Sequence, residues 1–179
     1  MSAVLGLDLS PNRNGYCVGD GLSTPTADVW WLPKTGSDLG AVVCAHEDWL
    51  NRLAADHDIG WVIYESPLLL KHDKLWTIRR TYSLGGETER WCARRGIPCS
   101  EVDPKRLKKE ITGDAYADKA RVAYVVEHRL EIALPDTIAS GKHDAGDAVG
   151  AWFIGLREHA PRIASAWDTK LWSNRGVLT

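Results

Sequence analysis

Four apolar residues in an unbroken row, Trp61-Val62-Ile63-Tyr64, constrain this chain more than any other feature. A strand with one wet face alternates apolar and polar residues. A run without alternation reads as a central strand buried on both faces. Elements must then pack on both sides of one sheet, and the rest of the chain supplies them. Residues 3–9 read as a first strand, followed by a polar turn from Ser10 to Asn14. Gly15 to Val18 and Val29 to Leu32 read as two more short strands, spaced as in an antiparallel meander. Ser37 or Asp38 caps a helix running to about Asp56, in which Val42, Val43, Trp49, Leu50 and Leu53 recur at helical spacing.

After the central strand the pattern turns to alternating helices and strands. Asp73 to Arg95 reads as a helix with a break at Gly85-Gly86, and Ile97 to Val102 as a strand. Pro104 opens a short helix that ends before Gly113. Ala117 to Leu130 and Lys142 to Glu158 are two further helices. The last twenty residues read as irregular, with Trp167 and Trp172 as anchors. A meander followed by alternating helices and strands predicts an α/β fold, a mixed sheet flanked by helices. At 179 residues and 44% hydrophobic content the chain suits one domain of ordinary size.

The acids fall at telling places. Asp8 ends the first strand and Glu65 the central one. A lone acid after an apolar strand is commonly a loop residue, but two on neighbouring strands would converge at one sheet edge. In His143-Asp144-Ala145-Gly146-Asp147-Ala148, two aspartates three residues apart share one face at the head of an apolar helix. Their Cβ atoms are then roughly 5–6 Å apart. One aspartate there would simply favour the positive end of the helix dipole. Two, among the small residues Ala145, Gly146, Ala148 and Gly150, point to a helix packed closely against something. Repelling carboxylates held together need a cation, and hard oxygen ligands favour Mg2+ or Mn2+ over zinc. His143 is open to three readings: ligand, proton-transfer group or capping neighbour.

These residues carry a resemblance. Leu5-Gly6-Leu7-Asp8-Leu9-Ser10 with Gly15-Tyr16-Cys17-Val18 resembles the opening strand and turn of RuvC-like Holliday-junction resolvases. Val62-Ile63-Tyr64-Glu65 is similar to their second acidic motif, and Asp144-Ala145-Gly146-Asp147-Ala148 to their closing helix. The basic helix Lys105-Arg106-Leu107-Lys108-Lys109, a Thr-Gly pair, and Asp118-Lys119 opening the next helix follow the family in order. The resemblance implies an RNase H-like fold over residues 1–160, a five-stranded mixed sheet whose first three strands are antiparallel, with 161–179 as an irregular C-terminal tail. It implies a homodimer that nicks four-way DNA junctions with Mg2+, for which Mn2+ substitutes. Asp8, Glu65, Asp144 and Asp147 would hold two ions per active site, with Asp8 the bridging ligand. Two ions about 3.5–4 Å apart can activate a water and stabilise a leaving oxygen. Lys108 and Lys119 match basic residues near the family's scissile phosphate. Two departures stand out. Asp8-Leu9-Ser10 replaces Asp-Pro-Gly, and the aromatic residue that the family often places shortly after its second acid, to stack at the junction centre, is absent, so Leu68 or the more distant Trp76 would have to replace it.

A net charge of −2 excludes a wholly basic coat protein, yet the charge is unevenly spread. From Lys71 to Lys109 there are eleven basic residues against five acids. Arg79, Arg80, Lys105, Arg106, Lys108 and Lys109 are the candidate DNA contacts there, with Lys119 beyond. Leu75, Trp76, Ile78, Leu84 and Trp91 make the Asp73–Arg95 helix the expected dimer seam. Nine tryptophans against one phenylalanine serve core filling or an aromatic surface for nucleobases. Cys17, Cys44, Cys92 and Cys99 lack metal or disulfide spacing and read as reduced, mostly buried thiols. With no basic start or long apolar run at the N-terminus and no apolar segment of membrane length, a cytoplasmic protein without membrane or small-molecule partners is expected.

Three other readings compete. An RNase H-type enzyme takes a glutamate from the helix after the meander, and Glu47 lies there, although beside His46 and Asp48 it reads as a solvated face. An actin-like or sugar-kinase phosphate loop at Leu7-Asp8-Leu9-Ser10 would need a second domain, for which the chain has no room. An inactive DNA-binding module would not need the full acid set.

Overall fold

Both faces of the central strand are covered, as its apolar run demands. The computed structural model describes residues 2–68 and 74–173. Among them, the strands are β1 (Ala3–Leu9), β2 (Arg13–Gly19), β3 (Thr26–Trp31), β4 (Ile59–Glu65) and β5 (Cys99–Val102). The α-helices are α1 (Leu39–Asp56), α2 (Leu75–Arg95), α3 (Pro104–Thr112), α4 (Lys119–Val125), α5 (Lys142–His159) and α6 (Pro161–Ser173). The sheet order is β3-β2-β1-β4-β5. The first three strands are antiparallel, and β4 runs parallel to both β1 and β5. This is the five-stranded mixed sheet expected from the sequence.

Side-chain alternation divides the core in two. Leu5, Leu7 and Leu9 of β1 and Val62 and Tyr64 of β4 pack with Leu50, Leu84 and Trp91 of α1 and α2. Val4 and Ile63 point the other way, into a cluster with Leu107, Val122, Trp152 and Phe153 of α3, α4 and α5. Helix α5 lies directly on the sheet because two glycines leave room for it. A side chain at Gly6 would place its Cβ 2.3 Å from the Trp152 nitrogen. One at Gly15 would place it 2.0 Å from the Asp144 carbonyl oxygen.

The structure corrects four local expectations. Helix α2 runs through Gly85-Gly86 without a break, since Leu84, Thr88 and Trp91 are all buried on one stripe. Residues 161–173 are not irregular: α6 buries Ala164, Trp167 and Leu171, and Trp167 donates to the Gly21 carbonyl at 2.8 Å. Its stripe of small and apolar residues after Pro161 is helical in period. The helix expected to reach Leu130 ends as α4 and continues as a π-helical turn, Val126–Leu130, closed by Glu131 at φ 55°. His46 is buried rather than solvated, between Asn14 at 3.1 Å and Thr88 at 2.9 Å, and burial lowers its pKa to about 3. Cys17 and Cys92 are buried, whereas Cys44 is exposed. No helix of the described residues is long and apolar enough to cross a membrane.

Two glycine substitutions should part in sign. Nothing lies near a Cβ at Gly86, in a helix interior, so Gly86→Ala should stabilise by roughly 0.5–1 kcal/mol. Gly6→Ala forces α5 off the sheet and should cost at least about 1–3 kcal/mol. Chemical denaturation of both variants measures the two effects.

Candidate active site

The same alternation that aims Val4 and Gly6 at α5 aims Asp8 there, and Glu65 follows Ile63 on the same face. Asp147, one turn into α5, meets them. One carboxylate oxygen from each of Asp8, Glu65 and Asp147 lies within 4.8 Å of the others. Three elements far apart in the chain thus deliver three acids to one point, and Asp147 is only 1% exposed.

The fourth expected acid is placed differently. Asp144 lies beside this cluster, not in it: Arg13 of β2 pairs with its Oδ2, and Lys119 Nζ lies 3.4 Å from its Oδ1. Lys119 also reaches Asp147 Oδ2 at 2.9 Å and Asp8 Oδ2 at 3.5 Å. One ammonium therefore faces three aspartates.

Burial dominates the titration of the cluster. Removal from water, with Asp147 and Asp144 nearby, raises Asp8 to about 7, and Lys119 only partly opposes this. Burial and Asp8 raise Glu65 to about 9, and burial also raises Asp147. Burial alone would lower Lys119, but Asp8, Asp147 and Asp144 together raise it. Lys119 serves Asp147 Oδ2 alone of that carboxylate's oxygens. Asp147 Oδ1 and Glu65 Oε2 are buried without a hydrogen-bond partner among the described residues. Buried polar atoms are rarely left so. Unpartnered carboxylate oxygens grouped at this spacing fit a hard divalent cation such as Mg2+.

The cluster opens onto a cleft of about 270 Å³. Asp8, Ser10, Pro11, Glu65 and Lys119 line one side, and Pro67, Leu68, Thr77, Ile78 and Tyr82 the other. The basic residues are unevenly available. Arg79, Lys105 and Lys109 are exposed, and Lys108 is half-buried but close enough to lower Asp147 and Glu65. Arg106 is exposed but paired with Glu158. Arg80 is corrected: it is 5% exposed and donates to the Pro33 carbonyl, so it is not a surface contact. Arg90 and Arg94 pair with Glu47, which holds Glu47 on the α1–α2 surface and out of the acid cluster. Lys71 lies outside the described residues. His143 is half-buried and outside the three-acid group.

Sequence reading missed Arg13. Besides Asp144, it donates to the Ala139 and Ile138 carbonyls at 2.8 and 3.2 Å, tying the segment before α5 to β2. The signal was available. Arg13, Gly15 and Cys17 share one face of a strand, but starting that strand at Gly15 left Arg13 in a turn.

No protein-family model matches the chain. Among curated proteins it is similar to the crossover junction endodeoxyribonuclease RuvC of Halorhodospira halophila, 30% identical over 93% of this chain and 96% of that one. It is 32% identical to the RuvC of Rhodococcus opacus, over 91% and 88%. Among solved structures, Thermus thermophilus RuvC in complex with a Holliday junction substrate superposes with a TM-score of 0.67 at 15% identity, over 95% of this chain and 96% of that one. The yeast mitochondrial Holliday junction resolvase superposes at 0.55 and 13%, over 96% and 81%. The fold these likenesses show is the RNase H-like one.

The raised carboxylates set a pH dependence. A carboxyl whose folded pKa lies above its unfolded value stabilises the protein while protonated, and that contribution is lost as pH rises through the folded value. With Asp8 at about 7 and Glu65 at about 9, melting temperature in EDTA should fall between about pH 5 and about pH 9. Glu65→Gln should flatten the upper part of that fall. Saturating Mg2+, which displaces the protons, should remove it.

Proposed function

The chain belongs to the RuvC family of crossover junction endodeoxyribonucleases, and from that membership we propose that it is a Mg2+-dependent endonuclease that nicks four-way DNA junctions as a homodimer. The observation that carries the reading is the convergence of Asp8, Glu65 and Asp147 within 4.8 Å beside an open cleft. One ammonium, Lys119, is set against this group of buried acids, and a divalent cation would supply the remaining positive charge.

Asp8, Glu65 and Asp147 are the residues that would hold the ions directly. Asp144 joins from the side, its orientation fixed by Arg13. When bound, two Mg2+ ions would supply an activated water and charge neutralisation at the leaving oxygen of the phosphodiester. Lys119 holds a positive charge at the mouth of the cleft, where an incoming phosphate would meet it. Lys108 adds a second charge on the neighbouring helix. Ser66, Pro67 and Leu68 border the cleft where a strand would enter.

The dimer is proposed on α2. Leu84 and Trp91, expected at the seam, are buried within the subunit, but Leu75, Trp76 and Tyr82 remain exposed. Two-fold symmetry matches a junction whose opposing strands are related by a similar axis.

A cleavage panel with Mg2+ tests the reading: four-way junction, flap, RNA–DNA hybrid, single strand and linear duplex. Paired nicks in the junction and little cleavage of the others are expected. Asp8→Asn should abolish nicking while holding or raising the melting temperature in EDTA, because it removes a buried charge. Lys108→Ala should lower the salt slope of junction binding by about one unit. Sedimentation at micromolar concentration should show a dimer. A monomer with and without junction would refute the paired-nick mechanism.

A further inference from the structure

Asp144 and Asp147 share a helix face, yet the fold treats them as different kinds of group. Asp147 Oδ1 and Glu65 Oε2 are without a hydrogen-bond partner among the described residues. Both oxygens of Asp144 are engaged: Arg13 Nε pairs with Oδ2, and Lys119 Nζ lies 3.4 Å from Oδ1. The oxygens of Asp8, Glu65 and Asp147 accordingly form one group without it.

The two cations are held with unequal firmness. The Lys119 side chain is 45% exposed and lies 2.9–3.5 Å from three aspartates, so its flexible stem can shift the charge among them. The Arg13 side chain is 20% exposed and fixed through all three guanidinium nitrogens. Nε pairs with Asp144, and the two terminal nitrogens donate to the Ala139 and Ile138 carbonyls at 2.8 and 3.2 Å. Its guanidinium carbon lies 5.1 Å from the Trp31 ring centre. A planar fork held this way has one position. Turning it aside would leave the buried Asp144 carboxylate short of its partner, which is costly.

Charge balance points the same way. Asp8, Glu65, Asp144 and Asp147, when all are ionised, face Arg13 and Lys119. Two negative charges are left over, and one divalent ion cancels them. A second would carry the group to net positive while Arg13 stays in place, and like charges this close repel strongly away from water. It would also meet an Asp144 whose oxygens are already engaged. The phosphate of a bound strand brings the negative charge that offsets this excess.

We propose that Arg13 stands in for one of the two divalent ions: the DNA-free protein binds a single ion, at Asp8, Glu65 and Asp147, and Asp144 is open to another only when its pair with Arg13 is broken. The proposal rests on the reading of the acids as a Mg2+ site and makes Arg13 the residue that sets the ion count there.

The test counts ions on the full chain, stripped of metal and without DNA. Mn2+ binding is followed by electron paramagnetic resonance, and Mg2+ binding by calorimetry. The wild type should bind one ion at least about 10-fold more tightly than any other, with the Mn2+ spectrum of an isolated ion. Arg13→Gln and Arg13→Met should bind two, the second at least about 10-fold more tightly than in the wild type. Ions about 3.5–4 Å apart couple magnetically, so these variants should show a spin-coupled pair, which an ion elsewhere on the surface cannot give. Arg13→Lys keeps the charge and should keep the single ion. Adding Asp144→Asn to Arg13→Gln should abolish the coupled pair and leave the first ion bound. Melting temperature in EDTA shows which variants are folded.

Two ions of similar affinity in the wild type overturn the proposal, leave the metal reading standing and require no variant. A single isolated ion in folded Arg13→Gln and Arg13→Met overturns it too, as does a coupled pair that survives Asp144→Asn. If neither neutral variant folds, Asp144→Asn alone decides: a single ion retained within about 10-fold of wild-type affinity upholds the proposal, and its loss overturns it. If the wild type binds no ion that Asp8→Asn removes, the reading of the acids as a metal site fails and the proposal fails with it.

Discussion

The site depends on how closely α5 approaches β1 and β2. Gly6 and Gly15 strip the sheet of side chains where the helix crosses it, and the helix answers with the small residues Ala145 and Ala148. Backbone therefore meets backbone, and Asp147 arrives at the level of Asp8 and Glu65. A thicker contact would lift Asp147 out of reach of the other two, and the three oxygens would cease to be one group. Trp152 and Phe153, further along α5, are fully buried in the same core.

That closeness creates an electrostatic problem which the surrounding residues answer in different ways. Asp144 is neutralised by a dedicated partner, Arg13. Asp8 and Asp147 share Lys119 with it, and a single ammonium cannot serve three carboxylates equally. Glu65 has only the more distant influence of Lys119 and Lys108, and burial raises it to about 9. The gradient across the cluster runs from a satisfied acid at Arg13 to an unsatisfied one at Glu65. It points from the β2 side toward the cleft, where further positive charge can enter.

The fold was largely legible because its signals are local: the unalternating β4, the meander of short strands and the capping Asp38, which accepts from the backbone of its helix. The positions of Asp8, Glu65 and Asp147 were legible for the same reason, since each closes or opens an element. What escaped depends on tertiary contacts. Gly85-Gly86 looks like a break until α1 is packed against α2. Arg80 looks like a DNA contact until Pro33 and Trp76 enclose it. Asp144 and Asp147 look equivalent, three residues apart on one helix, and only the reach of Arg13 across from β2 separates them.

The order in which these parts leave the ribosome carries a further consequence. Asp8 and Glu65 are made early, but α5, which supplies Asp147 and covers one face of the sheet, spans residues 142–159. A nascent chain that lacks it has half the acids, an uncovered face of β1 and β4, and only Asp8 to set against Lys119. The three-acid group thus assembles only once α5 has been synthesised and docked on the sheet. Placing Asp147 on α5, after all five strands of the sheet, makes assembly of the acid group wait for that helix.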